Sequence, residues 1–348
     1  MLGVGSGGAA GGSVLSTPLL EATGLCKRFP LQRSALDWTR GRAAPVLRAV
    51  DGVSLTVHRG ETLGIVGESG CGKSTLARCL VRLHEPDEGA IRLEGQDVLA
   101  LTGPARRAYN RRVQMVFQDP YGSLNPRLRV GDALAEALAV HRVVERAAVP
   151  GRVQALLDLV HLPQDAGGRY PHEFSGGQRQ RVGIARALAV EPAVIIADEP
   201  VSALDVSVQA QIVNLLLELQ DRLGLALLFI THDLRLVRHI AHRTAVMYLG
   251  KIVETGPTEA LFATPRHPYT RALIEAVPQI APGGRHRDAA VRGELPSAIA
   301  PPPGCPFHPR CPIAEPRCST VPPALVPRDA GGALTWPTAC HLAGLPSG

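Results

Sequence analysis

The sequence lacks the features of a chain that crosses a membrane or is exported. Aromatic residues make up only 4% of it, and its longest apolar runs, 193–197 and 225–230, are short. A membrane-spanning helix needs about 20 apolar residues. No Lys or Arg precedes Lys27, so the charged segment that opens a secretory signal is missing. We therefore expect a cytoplasmic protein that does not span a bilayer by itself.

The sequence also lacks a concentrated charge of one sign. Its net charge is +6 and its pI about 9.1, but the basic residues are scattered. The densest cluster is formed by Arg106, Arg107, Arg111 and Arg112, which is typical of a solvated helix face. Such a balance suits binding of nucleotides or proximity to anionic lipid, and equally an ordinary solvated surface. It predicts no nucleic-acid site.

Length and composition divide the chain into three parts. With 348 residues, of which 45% are apolar, the chain can form one large domain with an appendage or two ordinary domains. Residues 1–18 are mostly Gly, Ala and Ser and predict a flexible tail. Prolines crowd residues 296–327. We predict a catalytic domain at 19–262 and a separate module at 263–348.

A phosphate-binding loop joins a predicted strand at 62–66 to a predicted helix at 73–83. It fits the Walker A pattern G-x-x-x-x-G-K-[ST] in full, with Gly67, Glu68, Ser69, Gly70, Cys71, Gly72, Lys73, Ser74 and Thr75. In such a loop, backbone N–H groups surround the β-phosphate, Lys73 reaches the β- and γ-oxygens, and the Ser74 hydroxyl binds Mg²⁺. The strand before it and the helix after it make this prediction specific.

Two further motifs lie about a hundred residues downstream of the loop. One is Ser175, Gly176, Gly177 and Gln178, at the predicted start of a helix. The free N–H groups and positive dipole end of a helix start favour an anion. The other is an apolar strand at 194–197 that ends in Asp198 and Glu199. It predicts two carboxylates at one strand end, suited to a metal ion and a water molecule.

These motifs, with Asp-Glu-Pro at 198–200 and Ala-Leu-Asp at 203–205, together resemble the nucleotide-binding subunits of ABC transporters. The Ser-Gly-Gly-Gln signature separates that family from other phosphate-loop ATPases. The resemblance implies an α/β fold of the P-loop NTPase class, as an ABC-type ATPase with a mixed sheet core. It also implies an inserted helical subdomain at about 126–190 and a Pro- and Cys-rich C-terminal extension.

The resemblance assigns a role to each catalytic candidate. Glu199 would polarise the attacking water, Asp198 would hold Mg²⁺, and Lys73 would offset charge on the γ-phosphate. Gln118, after a predicted strand at 113–117, would complete the Mg²⁺ shell, and His232, after a strand at 225–230, would contact the γ-phosphate and the water. Taken alone, Gln118 would be an exposed polar residue and His232 a structural one.

Further implications concern adenine and the second half of the site. Phe29 is the candidate to stack on adenine, with an ordinary core role as the alternative, and an insertion at 31–45 could displace it. The signature is expected to lie far from the phosphate loop of its own chain. A complete site would then take the signature in trans from a second chain packed head to tail, with Asp205 in the D-loop between them.

Other strands are predicted around these motifs. Residues 46–57 and 61–66, with a hairpin at 90–97, are expected to belong to the one sheet that presents the phosphate loop. Residues 206–223 predict an amphipathic helix. A final hairpin at 245–253 is expected to close the sheet.

The C-terminal part resembles the module on ATPase subunits of the oligopeptide, dipeptide and nickel importer branch, closest to the dipeptide importer. Gly-Cys-Pro at 304–306 and Tyr-Gly-Ser-Leu-Asn-Pro at 121–126 carry this resemblance.

Four cysteines, Cys305, Cys311, Cys318 and Cys340, suit a thiolate cluster in a reducing compartment, although the sequence has no C-x-x-C pair. All-sulfur ligands are compatible with Zn²⁺ or iron–sulfur. The resemblance implies [4Fe–4S], with zinc and free thiols as alternatives. Cys26, Cys71 and Cys79 are interpreted as small apolar residues.

The resulting hypothesis is an ATP- and Mg²⁺-dependent ATPase subunit, peripheral on the cytoplasmic face of the membrane, that energises uptake of di- or oligopeptides or a related small solute. The expected partners are a second ABC ATPase, expected to be a paralogue, two membrane permeases and an extracytoplasmic solute-binding protein, without direct contact to nucleic acid. One alternative is a soluble ABC-type ATPase acting on nucleic acid or ribosomes. Another is a redox-sensing regulator built around the cysteine module.

Overall fold

The computed structural model describes residues 17–32, 44–119, 122, 124–276, 293–327 and 336–343. The predicted tail at 1–18 lies almost entirely outside these ranges, as do most of the predicted insertion at 31–45 and parts of the 121–126 motif. The two ends of that insertion meet, since the N–H of Leu31 donates to the carbonyl of Pro45 over 2.9 Å.

Along the described ranges, three strands precede the first α-helix, and three successive α-helices lie between the sixth and seventh strands. The strands are β1 (Leu20–Pro30), β2 (Val46–Val57), β3 (Thr62–Val66), β4 (Glu88–Leu93), β5 (Gln96–Asp97), β6 (Val113–Val116), β7 (Val194–Asp198), β8 (Ala226–Thr231), β9 (Arg243–Tyr248), β10 (Lys251–Pro257), β11 (Val326–Pro327) and β12 (Pro337–Thr338). The helices are α1 (Lys73–Leu80), α2 (Gly103–Arg112), α3 (Val130–Val140), α4 (Val149–Leu159), α5 (Gly176–Leu188), α6 (Val206–Leu223), α7 (Leu234–Ile240), α8 (Thr258–Ala263) and α9 (Pro268–Glu275).

A mixed eight-stranded sheet forms the centre of the described structure, in the order β11-β12-β10-β9-β3-β8-β7-β6. The strands from β9 to β6 in this order are parallel to one another. Every residue of β3, β7 and β8 is buried, as expected for parallel strands covered on both faces. The phosphate loop therefore leaves the sheet from a rigid, central strand.

A second sheet contains β2, β1, β4 and β5 and is antiparallel. The prediction that 46–57 (β2) and the hairpin at 90–97 (β4 and β5) belong to the sheet of β3 was wrong. Strand β2 has an irregular mixture of buried and exposed residues, whereas β3 is buried throughout. Such half-buried strands suit a separate antiparallel layer with one face toward the core. The inner face of this layer packs on a core that includes Leu76, Leu80 and Ile65.

The predicted hairpin is present as β9 and β10, but the prediction that it closes the sheet was wrong. Strand β12 pairs with the outer edge of β10 at Glu254 and Thr338, and β11 pairs with β12. The N–H of Ala339 also donates to the carbonyl of Val253 over 2.7 Å. An open edge on β10 leaves backbone groups to be satisfied, and the C-terminal module supplies the partners.

The helices α3, α4 and α5 pack on one another between β6 and β7 in the chain, where the helical subdomain is predicted. Their buried side chains include Leu134, Leu138, Leu156 and Leu157 and belong to the same apolar core as α6. The signature helix α5 is thus anchored on both sides.

The C-terminal module is fixed by a buried carboxylate. Glu254 is fully buried and accepts hydrogen bonds from Trp336 Nε1 at 2.8 Å and from the N–H groups of Arg266 and His267 at 2.9 and 3.0 Å. The guanidinium of Arg266 stacks 4.1 Å from the Trp336 ring centroid. Across the described residues, no helix combines the length and apolarity that a membrane span needs.

Candidate nucleotide-binding site

The phosphate loop runs from the end of β3 to the start of α1. A Cβ at Gly67 would lie 2.2 Å from the carbonyl oxygen of Met247, and one at Gly72 would lie 2.0 Å from that of Ala49. Gly72 also has φ of 109°, where other residues are strained. The loop therefore needs glycine at both positions. The buried ammonium of Lys73 donates to the carbonyls of Gly67 and Glu68 at 2.9 and 3.0 Å, so it lies inside the loop.

Ser74 and Asp198 face each other at the entrance of α1. The Ser74 hydroxyl donates to Oδ1 of Asp198 over 3.0 Å, and Asp198 is buried at the end of β7. Burial raises the pKa of Asp198 above its ordinary value, and the hydrogen bond from Ser74 opposes this shift. A hydroxyl and a carboxylate are oxygen ligands of the kind that Mg²⁺ prefers, together with substrate phosphates. These two residues fit the predicted Mg²⁺ site.

Glu199 is the point at which the other catalytic candidates meet. Its Oε1 lies 4.0 Å from Lys73 Nζ and 3.4 Å from His232 Nδ1, and its Oε2 accepts a hydrogen bond from Gln118 Nε2 over 3.3 Å. Its backbone has φ of 46°, and its N–H donates to the carbonyl of Ile230 over 2.9 Å. This left-handed conformation turns the chain sharply after β7.

An open cavity of about 360 Å³ lies beside these groups. Its lining includes Gly67, Ser69, Glu199, His232 and Leu273. Leu273 lies on α9, beyond the predicted catalytic domain, and sequence reasoning did not identify it. The cavity places the predicted water-activating carboxylate next to the phosphate loop, which is the arrangement that hydrolysis of a bound phosphate requires.

The signature turn caps helix α5. The hydroxyl of Ser175 accepts the N–H of Gln178 over 3.3 Å, and the Gln178 side chain accepts the N–H of Ser175 over 3.0 Å. A Cβ at Gly177 would lie 2.4 Å from Cγ1 of Val208, on α6. The turn is therefore packed closely against the helix that begins after Asp205, and Asp205 itself is exposed.

Phe29 lies half-buried on β1. Its ring centroid is 5.4 Å from that of His84 and 5.5 Å from the ammonium of Lys27. These contacts leave the stacking on adenine as a prediction.

Comparison with known proteins identifies the family. The chain is 52% identical over 328 residues to a probable peptide ABC transporter ATP-binding protein of Sinorhizobium fredii, covering 94% of this chain and 91% of that one. It is 47% identical over 327 residues to the oligopeptide transport ATP-binding protein AppF of Bacillus subtilis, covering 93% and 97%. This chain belongs to the ATP-binding subunits of ABC transporters.

Family profiles and solved structures agree with this membership. The ABC transporter profile matches residues 50–202, and that of the oligopeptide/dipeptide transporter C-terminal region matches 253–318. The structure of cbiO1 from Clostridium perfringens, part of the ABC transporter complex cbiONQ, has a TM-score of 0.60 and 27% identity, covering 71% of this chain and 91% of that one. A dimeric ATP-binding cassette with ADP and phosphate has a TM-score of 0.60 and 26% identity, covering 69% and 98%. The predicted P-loop NTPase fold and ATPase class are confirmed.

The four cysteines of the ABC ATPase's C-terminal module are neighbours. The N–H of Cys305 donates to the carbonyl of Cys318 over 2.8 Å. Burial raises the pKa of the Cys305 thiol to about 11, with a further contribution from the thiols of Cys340, Cys318 and Cys311. However, the described residues contain no group of three or more His, Cys, Asp or Glu arranged to hold a metal ion. The predicted cluster therefore gains no support from this arrangement.

The remaining cysteines are buried, as predicted for small apolar residues. Burial raises the pKa of Cys71, and it raises that of Cys79 to about 11. Cys26 is buried on β1. At neutral pH, Cys71 and Cys79 are thus held as uncharged thiols, although Cys71 belongs to the phosphate loop.

Proposed function

We propose that this chain is the ATP-hydrolysing subunit that energises uptake of di- or oligopeptides, or a related small solute, through a membrane ABC importer. The observation that carries this proposal is the convergence of Lys73, Gln118 and His232 on Glu199 beside the phosphate loop. The peptide class is supported by the names of the relatives and by the match of residues 253–318.

In the proposed mechanism, the chain mainly positions the reactants. Glu199 polarises the attacking water, while Asp198, Ser74 and Gln118 would hold Mg²⁺, which would offset negative charge on the phosphates. Lys73 offsets charge on the γ-phosphate, and His232 holds the water and the γ-phosphate. The contact of Gln118 with Glu199 would link the metal site to the segment that follows β6.

We propose that the complete site forms between two ATPase chains. Ser175, Gly176, Gly177 and Gln178 would bind the nucleotide held by the phosphate loop of the other chain, with Asp205 at the contact. The capped start of α5 supports anion binding there, and the dimeric cassette with ADP and phosphate supports the pairing by analogy. We propose a paralogue as the second chain.

The remaining partners follow from the same proposal. They are two membrane permeases and an extracytoplasmic solute-binding protein, with the ATPase peripheral on the cytoplasmic face. We propose residues 19–262 as the ABC ATPase domain, with the helical subdomain at about 126–190, and 263–348 as the transporter C-terminal module. The match of the two profiles to 50–202 and 253–318 supports this division.

A [4Fe–4S] cluster on Cys305, Cys311, Cys318 and Cys340, with Zn²⁺ as the alternative, is also proposed. These thiols interact electrostatically with one another, but the described residues contain no group arranged to hold a metal ion, so the proposal rests on the resemblance of the module. No mechanistic step depends on it. Metal analysis and visible absorption of anaerobically purified protein test it: a colourless, metal-free protein would leave the cysteines as structural thiols.

Peptide uptake by the protein's own host tests the main proposal. The chromosomal gene is replaced by one that encodes Glu199→Gln. The control strain encodes Glu259→Gln, which changes an exposed carboxylate paired with Arg238. We expect uptake of labelled di- or oligopeptides to be lost with the first variant and kept with the second. Unchanged uptake in a Glu199→Gln strain would overturn the peptide assignment.

Affinity capture separates this function from the soluble alternative. Tagged Glu199→Gln protein with ATP and Mg²⁺, captured from detergent-solubilised host membranes, is expected to bring down two multi-span permeases and a second ATPase. Recovery only from the soluble fraction, with ribosomes or nucleic acid attached, would overturn the transporter proposal.

A further inference from the structure

The C-terminal module contacts the phosphate loop through a buried arginine. Nη1 and Nη2 of Arg310 lie 2.7 and 2.9 Å from the two carboxylate oxygens of Glu68, the second residue of the loop. The Arg310 side chain is only 5% exposed, and that of Glu68 is 27% exposed. A bidentate contact of this kind fixes the orientation of the guanidinium relative to the carboxylate as well as their separation, which a single hydrogen bond from a lysine does not.

Arg310 is itself held in place. Its guanidinium lies 5.8 Å from the ring centroid of Tyr248, and Nη1 lies 3.4 Å from the hydroxyl of that residue. The Tyr248 ring in turn packs against Tyr269 and Phe307, with centroids 4.7 and 5.4 Å apart. Because Phe307 belongs to the same module as Arg310, the module and the end of β9 form one packed unit around the guanidinium.

The other polar groups of Glu68 are also engaged. Its N–H donates to the hydroxyl of Tyr269 on α9 over 2.9 Å, and its carbonyl accepts from Lys73 Nζ over 3.0 Å. Thus the side chain and the N–H of Glu68 are both held by residues that follow the profile-matched ATPase segment 50–202. The conformation of the loop at Glu68 depends on residues more than 200 positions away in sequence.

Charge gives this contact a second consequence. A carboxylate in a loop that receives a polyphosphate would repel it, since like charges disfavour each other strongly where water is partly excluded. The hydrogen bonds that Arg310 donates to Glu68 also raise the pKa of Arg310 far above its ordinary value, so the guanidinium is always charged. The pair is therefore close to neutral whenever the nucleotide arrives.

We propose that Arg310 is a positioning residue for ATP: by neutralising and orienting Glu68, it holds the phosphate loop in the form that binds the nucleotide. This inference rests on the ATPase function proposed above. It assigns the C-terminal module a role in nucleotide affinity, separate from any metal on its cysteines.

The test is made on full-length protein, with ATP affinity measured by equilibrium binding and hydrolysis analysed as KM and kcat. Arg310→Met keeps much of the apolar bulk and removes the charge, and we expect it to raise the Kd and KM for ATP about tenfold, with a smaller change in kcat. Arg310→Lys keeps the positive charge but cannot make the bidentate contact, and we expect its Kd and KM for ATP to lie between those of Arg310→Met and wild type. Arg317→Met removes an exposed arginine of the same module, paired with Glu315, and is expected to match wild type.

A double variant separates neutralisation from general damage to the fold. If Glu68 repels ATP when unpaired, then Glu68→Gln combined with Arg310→Met is expected to bind ATP more tightly than Arg310→Met alone. Wild-type affinity in Arg310→Met would overturn the inference, as would a double variant no better than Arg310→Met. If Arg310→Met does not fold, the same comparison is made between Arg310→Lys and Arg310→Lys combined with Glu68→Gln. Absence of ATP binding by the wild-type protein would instead refute the proposed function.

Discussion

The ammonium Nζ of Lys73 lies 4.0 Å from the carboxylate Oε1 of Glu199, although the two residues belong to different motifs. The pair joins the phosphate loop at the start of α1 to the end of β7. It exists because β3 and β7 both flank β8 in the sheet, so their carboxyl ends lie at the same edge. Ligand sites of open α/β sheets form at this edge.

Glu199→Gln is predicted to slow hydrolysis strongly while preserving ATP binding. The amide keeps the size of the side chain and its contact with Gln118 but can no longer accept a proton from water. Loss of a positioned base costs about 10²–10⁴-fold in rate, so we expect kcat to fall by that factor. Phosphate release and ATP binding measured on the same sample check this, with Glu259→Gln as the control. Wild-type kcat would show that Glu199 is not the water-activating group.

Ser74→Ala is predicted to weaken the use of Mg²⁺. The substitution removes one oxygen ligand and the hydrogen bond to Asp198. We expect the Mg²⁺ concentration for half-maximal hydrolysis to rise at least about tenfold, since loss even of an outer partner of a metal has such an effect. Titration with Mg²⁺ at saturating ATP measures it. Ser74→Thr, which keeps a hydroxyl, and Ser319→Ala, on the module surface, should remain near wild type. An unchanged Mg²⁺ dependence in Ser74→Ala would remove Ser74 from the metal site.

Acid is predicted to destabilise the protein through His267. Burial lowers the pKa of His267 to about 3, and its Nδ1 accepts the N–H of Tyr269 over 3.0 Å, so the folded protein holds it neutral. The unfolded chain takes up a proton below pH about 6.5, and the folded protein does not. Stability from this residue is therefore lost as pH falls from about 6.5 toward 3, by about 2 kcal/mol at pH 5.

The variant His267→Gln tests this dependence. Urea unfolding at pH 7 and pH 5 should show a smaller loss of stability for the variant than for wild type between the two values. Equal losses in the two proteins would mean that His267 is protonated in the folded state or that other groups dominate.

Gly256→Ala is predicted to loosen the C-terminal module. A Cβ at Gly256 would lie 2.6 Å from Cγ of Trp336, whose Nε1 binds the buried Glu254. Overpacking of this kind costs about 1–3 kcal/mol. Gly183→Ala is the matched control: it lies on α5 with no atom within 4 Å of the added Cβ, and should stabilise by about 0.4–1 kcal/mol. Urea unfolding monitored by Trp336 fluorescence in a Trp38→Phe background measures both. Equal stability of Gly256→Ala and wild type would show that the module can shift without cost.

Local patterns were sufficient for the elements that carry the motifs. The buried strand at 62–66 and the helix at 206–223 have the predicted bounds, because an uninterrupted apolar run and a regular apolar stripe leave few alternatives. The four residues expected at strand ends also lie close together in the structure, as one shared site requires: Gln118, Asp198, Glu199 and His232.

Contacts between residues far apart in the sequence could not be predicted from local patterns. The segments 46–57 and 62–66 are both strands, yet nothing in their spacing reveals that they lie in different sheets. The pairing of Thr338 with Glu254 joins β10 to β12, a strand of two residues that is too short to show a strand pattern in the sequence. The contact of Arg310 with Glu68 is carried by single residues, and a charged pair has no periodicity that a sequence can display.

The Arg310–Glu68 contact also has a consequence for the order in which a ribosome makes this protein. Residue 68 is synthesised 242 residues before residue 310, which takes roughly 12–50 s at about 5–20 residues per second. From residue 178 to residue 309, the nascent chain already contains the whole of the phosphate loop and the signature, but not the arginine that neutralises Glu68. Under the role proposed for Arg310, tight nucleotide binding is thereby deferred until residue 310 has been made.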